Sequence, residues 1–150
     1  MLFTKHVATT TGWYLLIITG MFIGMEFSDK LINILYVEDE EELRYIIPSM
    51  ISSDVKAKII TIASGNLAIE ALKSGSKFDL IISDYKMADG SGADLQHYMK
   101  KDGDPTPFIL FTNTIEPSLP ETSENFLGII EKRDWKGLVD LIKEVQSINT

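Results

Sequence analysis

Acidic, hydroxyl and basic side chains follow four short apolar segments of this chain, each near the point where the segment ends. Glu38 and Asp39 follow ILYV, Asp84 follows DLIIS, Thr112 follows FILF, and Lys132 follows GII closely. If these segments are parallel strands of one sheet, their carboxyl ends open on the same edge, and the polar side chains converge there. Carboxylates that lie close together repel one another unless a hard cation such as Mg²⁺ is bound between them. The sequence therefore predicts a magnesium site that can receive a phosphoryl group.

The elements that must position these residues alternate between strand and helix patterns. Continuous apolar segments are typical of strands covered on both faces, and the stretches between them carry apolar residues at helical spacing. The predicted strands are 31–37, 57–62, 78–83, 108–111 and 126–130, and the predicted helices are 40–52, 66–73, 93–101 and 134–148. This alternation predicts right-handed crossovers and a parallel α/β sheet.

Two stretches are predicted to interrupt this regularity. Pro48 lies inside the first helix, where it predicts a kink or an early helix end. Pro117 and Pro120 lie between the fourth and fifth strands, in a stretch from Glu116 to Asn125 whose composition opposes a long regular helix. We expect one short or irregular turn there.

Composition bounds the class of protein. The chain has 150 residues, of which 45% are hydrophobic and 24% charged, which suits one compact domain. The net charge is −8 and Lys and Arg are not clustered, so we expect no nucleic-acid partner. The lack of cysteine excludes disulfides, thiolate nucleophiles and cysteine-ligated metals. The two histidines, His6 and His97, have no partners at metal-ligand spacing.

The N-terminal segment, residues 1–28, differs in kind from the rest. Between Lys5 and Glu26 there are twenty residues without Asp, Glu, Lys or Arg, which is long enough to span a bilayer. Met25 is a plausible natural first residue of the protein. An upstream extension of the reading frame, a disordered tail, a signal-like segment and an anchor with its N-terminus outside therefore stay open. We expect a cytoplasmic protein, anchored to the membrane if residues 6–25 are a true span.

From about Leu31 to Ile148 the chain resembles the response-regulator receiver domains of two-component signalling. The resemblance rests on a set of residues in the family's order and spacing: Glu38-Asp39, Asp84-Tyr85-Lys86-Met87 with Gly92 following, Thr112, and Lys132. It implies that residues 29–150 form a receiver domain with a flavodoxin-like, doubly wound, five-stranded parallel sheet of strand order 2-1-3-4-5.

The resemblance also implies the roles of the acidic residues. Asp84 is expected to be the phosphoacceptor, a carboxylate nucleophile that forms an aspartyl phosphate. Glu38 and Asp39 are expected to hold Mg²⁺ directly or through water, together with the Asp84 carboxylate and the backbone carbonyl of Lys86. The cation lowers the repulsion between an anionic nucleophile and an anionic donor.

The remaining roles belong to the hydroxyl, the ammonium and two flanking residues. By resemblance, Thr112 and Lys132 each contact an oxygen of the phosphoryl group. Lys86 and Thr114 occupy positions that tune the lifetime of the aspartyl phosphate. Taken alone, a β-branched Thr in a strand and a Lys after one are common without any function.

Several positions depart from the family pattern. Arg133 stands where a proline usually follows the lysine, so the cis-proline turn that helps to aim the lysine is missing. Ile129 stands where many relatives have a switching aromatic residue, so the usual coupling to the hydroxyl cannot operate. Asn113 replaces a small residue beside the phosphorylation pocket, and Ala88 replaces a proline. Glu38 in place of aspartate is a familiar variant.

Three functions are compatible with these features. The first is a stand-alone receiver that takes a phosphoryl group from a histidine kinase or a histidine phosphotransfer protein and signals by binding an unknown downstream protein, because no output domain follows Thr150. Such a protein is not an enzyme beyond its own phosphorylation and dephosphorylation, and a homodimer stays open. The second is a pseudo-receiver, an interaction module that is independent of phosphate. The third is a small hydrolase of related fold, for which the chain lacks a general base and a substrate-sized insertion.

Overall fold

The computed structural model describes residues 13–18, 21–26, 30–114, 117–119 and 123–149. Seven strands and four helices form within these residues. In chain order they are β1 (Trp13–Ile18), β2 (Met21–Glu26), β3 (Ile32–Val37), α1 (Glu41–Asp54), β4 (Ala57–Ile62), α2 (Gly65–Lys73), β5 (Leu80–Ser83), α3 (Gly92–Asp102), β6 (Phe108–Thr112), β7 (Phe126–Glu131) and α4 (Trp135–Ile148).

Five of the strands form one parallel sheet in the order β4-β3-β5-β6-β7. This order is the predicted 2-1-3-4-5, and the flavodoxin-like fold is confirmed. The first and third strands of the sheet, β3 and β5, are neighbours, and Val37 pairs with Ser83 at their carboxyl ends. The residues that follow these two strands therefore lie side by side at the topological switch point.

Helices cover the sheet on both faces, and each face has its own hydrophobic core. The first core lies under α1 and α4 and includes Ile34, Tyr36 and Phe111. The second lies under α2 and α3 and includes Leu35, Ile81 and Leu110. Every residue of β5 and β6 is buried, as expected for central strands covered on both sides. The two cores hold the strand ends rigidly, and this fixes the edge that carries the polar residues.

Three helices begin with a side-chain cap. Ser91 accepts a hydrogen bond from the backbone N–H of Asp94, and the Asp94 carboxylate accepts one from the Ser91 N–H, which forms a capping box for α3. Ser64 caps α2, and Asp134 accepts from the N–H of Gly137 to cap α4. These caps satisfy backbone donors that the first helical turn leaves without partners.

Pro48 does not end the first helix, which continues to Asp54, so the alternative of an early end was wrong. A proline removes one helical hydrogen bond. Ile47 and Ile51 lie on either side of it and are both buried against the sheet, so packing holds the helix together through that point.

The predicted irregular stretch between β6 and β7 falls only partly within the described residues. Residues 117–119 are neither helix nor strand. Residues 116 and 120–122 of the predicted stretch lie outside the described part of the chain.

Residues 13–18 and 21–26 form a separate two-stranded antiparallel hairpin, in which Trp13 pairs with Glu26 and Ile18 with Met21. The described part of the span considered for residues 6–25 is thus extended rather than helical. Across the described ranges, the structure contains no helix with both the length and the apolar character needed to cross a membrane. Residues 1–12, 19–20 and 27–28 of the predicted N-terminal segment lie outside the described residues.

Candidate functional site

Lys132 and two carboxylates meet at the carboxyl edge of the sheet. The Lys132 ammonium lies 2.7 Å from Oε2 of Glu38 and 3.1 Å from Oδ2 of Asp84. The three side chains are only 12%, 0% and 10% exposed, respectively. Residues that are 94 and 48 positions apart in sequence are thus joined in one buried ion-pair network.

A third carboxylate completes the acidic group. Glu38, Asp39 and Asp84 each offer a carboxylate oxygen, and these oxygens all lie within 4.8 Å of one another. Asp39 is exposed, whereas Glu38 and Asp84 are buried. Hard oxygen donors at this separation, with one side open to water, suit Mg²⁺, which binds through one or two carboxylates and keeps several waters. The donor set therefore fits the predicted metal.

Protein donors surround the Glu38 carboxylate. Besides Lys132, the Tyr36 hydroxyl donates to Oε2 at 3.1 Å, and the Glu40 backbone N–H donates to Oε1 at 3.3 Å. Burial raises the pKa of Glu38, and the charge of Asp84 adds to this, while the hydrogen bond and charge of Lys132 act in the opposite direction. Whether the buried Glu38 carboxyl is ionised therefore depends on the hydrogen-bond donors around it.

The ammonium and the phenol of this network are also perturbed. Burial lowers the pKa of Lys132, but its hydrogen bonds and charge interactions with Glu38 and Asp84 outweigh burial, and the net shift is upward. The pKa of Tyr36 is raised by burial first and then by the charge of Glu38. Both groups therefore remain hydrogen-bond donors at neutral pH.

Backbone contacts fix the position of Asp84. Its N–H donates to the carbonyl of Val37 at 2.9 Å, which extends the pairing of β3 and β5 by one residue. Its Oδ1 accepts from the backbone N–H of Tyr85 at 2.7 Å, while Oδ2 faces Lys132. A Cβ on Gly92 would lie 2.3 Å from the Asp84 carbonyl oxygen, so only glycine allows α3 to begin so close to this residue.

Thr112 ends the central strand β6 and is buried, with 1% of its surface exposed. Its Oγ1 accepts a hydrogen bond from the N–H of Thr114 at 3.1 Å. The Thr112 oxygen accepts this hydrogen bond through a lone pair, so the hydroxyl proton can still donate to another group. The carbonyl of Thr112 accepts from the N–H of Lys132 at 3.3 Å, so the backbones of these two site residues are joined directly.

The loop that follows Asp84 is held by the start of α2. The carboxylate of Asp89 accepts hydrogen bonds from the Ser64 hydroxyl and the Asn66 side-chain amide, both at 2.8 Å. These contacts lower the pKa of Asp89. The N–H of Gly65 also donates to the carbonyl of Gly90 at 3.0 Å. This loop carries Lys86, whose side chain is exposed, and Ala88 in the family's proline position.

The departures from the family pattern do not displace the lysine. No peptide bond between described residues is cis, yet Lys132 reaches both carboxylates. Ile129 is 43% exposed on the edge strand, and Asn113 is exposed beside Thr112.

Two partners of the site, Tyr36 and Asp89, were not predicted from the sequence. Tyr36 had a detectable signal, because residues two apart in a strand point to the same face and Tyr36 precedes Glu38 by two. Asp89 had none, since its contacts with Ser64 and Asn66 depend on how the loop packs against α2.

A family comparison agrees with this geometry. Residues 34–133 match the model of the response regulator receiver domain, and the chain belongs to that family. Receiver domains act in two-component signalling, and phosphorylation on an aspartate with Mg²⁺ is general among them. No curated protein matches the chain by sequence.

Solved structures share the fold at low sequence identity. The response regulator TrrA of Thermotoga maritima, in complex with Mg(2+)-BeF, is 24% identical with a TM-score of 0.66, over 75% of this chain and 97% of that one. A receiver domain protein of Clostridium thermocellum is 20% identical with a TM-score of 0.67, over 79% and 96% of the two chains. The Francisella response regulator 1452 receiver domain is 16% identical with a TM-score of 0.67, over 79% and 99%.

Proposed function

We propose that this protein is a phosphoacceptor receiver that takes a phosphoryl group onto Asp84 from a histidine kinase or a histidine phosphotransfer protein and signals by binding another protein. One observation carries the proposal. The Lys132 ammonium bridges Asp84 and Glu38 in a buried site to which Asp39 adds a third carboxylate. A strand-end Asp that merely capped a turn would need no such partners.

The transfer step follows from the groups around Asp84. A carboxylate oxygen of Asp84 forms the bond to phosphorus, while the bond from phosphorus to the donor atom breaks and the donor leaves with that electron pair. The Tyr85 N–H, which donates to Oδ1, holds the carboxylate in a fixed orientation. Fixed orientation lowers the barrier because the nucleophile does not have to be ordered during the reaction.

In the proposal, the negative charge of the transferred phosphoryl group is stabilised by donors of this chain and by a metal ion. Lys132 and the Thr112 hydroxyl each donate to a phosphoryl oxygen in the proposed complex. Glu38, Asp39, Asp84 and the Lys86 carbonyl would hold Mg²⁺, which when bound offsets the repulsion between the carboxylate and the phosphoryl group. In the proposal, Lys86 and Thr114, which flank the site, affect how long the phosphate persists.

In this proposal the protein does not turn over a separate substrate. It catalyses only its own phosphorylation and dephosphorylation. The alternative is a pseudo-receiver that binds a partner whatever its phosphorylation state. Ile129 supports this alternative, because an aliphatic side chain on an exposed edge cannot supply the usual switching aromatic ring.

The test is intact-mass spectrometry of the full chain after incubation with acetyl phosphate and Mg²⁺. We expect an adduct of one phosphoryl group on the wild type, none on Asp84→Asn, and none when EDTA replaces Mg²⁺. An adduct that survives in Asp84→Asn would move the acceptor elsewhere. No adduct from acetyl phosphate or from any competent kinase would overturn the proposal in favour of the pseudo-receiver. A hydrolase would release phosphate without a persistent adduct.

A further inference from the structure

Tyr36 lies beneath the acidic site, within the first hydrophobic core, and none of its surface is exposed. It lies on β3 two residues before Glu38, which directly follows the strand, so the two side chains extend to the same side of the sheet. Its hydroxyl donates to Oε2 of Glu38 at 3.1 Å. A core strand position of this kind needs only an apolar side chain, so the hydroxyl calls for a separate explanation.

Among the described residues, Tyr36 and Lys132 are the two donors to Oε2 of Glu38, and Glu38 is fully buried. Under the proposed function, Lys132 turns toward an oxygen of the incoming phosphoryl group. Of these two protein donors to Oε2, the Tyr36 hydroxyl is then the one that remains. Apart from Mg²⁺, this hydroxyl is what then holds the buried oxygen in place, so it matters most at this moment.

We propose that Tyr36 is a positioning residue for phosphoryl transfer: its hydroxyl holds Glu38 in place while Lys132 engages the phosphoryl group. This inference rests on the proposed function. The Tyr36 hydroxyl donates to Glu38, and it acts through that carboxylate rather than on the phosphoryl group. With Glu38 held, the acidic group keeps the arrangement that receives the metal.

The test compares Tyr36→Phe with the wild type as full chains. Phenylalanine keeps the ring in the core and removes only the hydroxyl. The rate of adduct formation with acetyl phosphate is measured by intact mass across a Mg²⁺ titration, and thermal unfolding is followed in parallel. We expect the rate at low Mg²⁺ to fall about tenfold, the effect of one hydrogen bond to a charged group. Tyr45→Phe, at a position 79% exposed on α1, is the matched control and leaves the rate unchanged.

A second background tests whether the hydroxyl acts through Glu38. Glu38→Asp shortens the side chain by one methylene and draws the carboxylate away from the Tyr36 hydroxyl. Adding Tyr36→Phe to Glu38→Asp is therefore expected to change the rate less than twofold. A purely structural role would lower the rate equally in both backgrounds.

The outcomes separate this inference from the function on which it rests. An adduct on the wild type, with Tyr36→Phe reacting at the same rate, overturns the role of Tyr36 and leaves the receiver function standing. An equal loss in the Glu38→Asp background, or a loss that only follows the unfolded fraction, also overturns it. No adduct on the wild type overturns the proposed function, and the inference fails with it.

Discussion

Replacing Lys132 with methionine removes the one ammonium that contacts both buried carboxylates of the site. Methionine is about as long as lysine but is uncharged. The variant therefore keeps the side-chain volume, while Glu38 and Asp84 lose their positively charged partner. In the structure the ammonium lies 2.7 Å from Glu38 and 3.1 Å from Asp84, and neither carboxylate side chain is more than 10% exposed. Lys132→Met thus leaves two buried negative charges facing each other.

The expected cost follows from the burial of this network. Removing one partner of a buried ion pair lowers the free energy of unfolding by about 3–5 kcal/mol. Here Glu38 keeps the Tyr36 hydroxyl and the Glu40 N–H, and Asp84 keeps the Tyr85 N–H. We therefore expect the lower end, about 3 kcal/mol at pH 8 without metal.

The pKa of Glu38 gives this loss a pH dependence. Burial already raises this pKa, and Lys132 opposes the rise, so the variant raises it further. An acid whose pKa is higher in the folded state than in the unfolded state favours folding below the unfolded pKa, and this contribution is lost as pH rises through the folded pKa. The ordinary pKa of a glutamate side chain is 4.5. The deficit of Lys132→Met is therefore expected to be smaller at pH 5.5 than at pH 8.

Urea unfolding in EDTA at both pH values measures the deficit. The matched control is Lys136→Met, which removes an exposed ion pair with Asp140 on α4 and is expected to cause no measurable change. Equal stability of Lys132→Met and the wild type at pH 8 would refute the reasoning that the network is buried and coupled. A deficit of the same size at both pH values would refute the assignment of the pH dependence to Glu38.

Two further predictions concern the backbone and the metal. Gly92→Ala would place a Cβ 2.3 Å from the Asp84 carbonyl and 2.8 Å from a Leu110 methyl, and we expect it to lower the free energy of unfolding by about 1–3 kcal/mol in urea. A neutral result would show that α3 can shift at no cost. Mg²⁺ is expected to raise the melting temperature of the wild type by binding the folded state, and Asp39→Asn to reduce that rise. The same rise in Asp39→Asn would remove Asp39 from the metal site.

Much of the fold could be predicted because its interior strands, β3, β5 and β6, are largely buried on both faces. An uninterrupted apolar segment such as 108–111 has few alternatives to an interior strand, and Thr112, which ends β6, marks the carboxyl edge. The predicted strand 78–83 starts later, at Leu80. Before that point the backbone N–H and the side-chain amide of Asn33 donate to the Asp79 carboxylate instead of forming regular strand pairing. Strand ends depend on such contacts between distant residues, which local pattern does not contain.

The candidate site was predictable for a related reason. The topology brings strand ends together whatever the loops do, so Glu38, Asp84 and Lys132 could be grouped from their positions after strands alone. The loop between Asp84 and Gly92 could not be predicted in the same way. Its attachment to α2 through Asp89 depends on a close backbone approach, where a Cβ on Gly65 would lie 2.5 Å from the Gly90 carbonyl oxygen.

The position of Lys132 shows why a missing family residue is weak evidence about geometry. Arg133 in place of proline predicts a poorly aimed lysine, yet the backbone has other constraints. The Lys132 N–H donates to the Thr112 carbonyl, and the Asp134 N–H donates to the Glu131 carbonyl at 2.8 Å before Asp134 caps α4. Strand pairing and a helix start thus fix the residues on both sides of Arg133. The two carboxylates then attract the ammonium, so charge as well as backbone conformation aims the side chain.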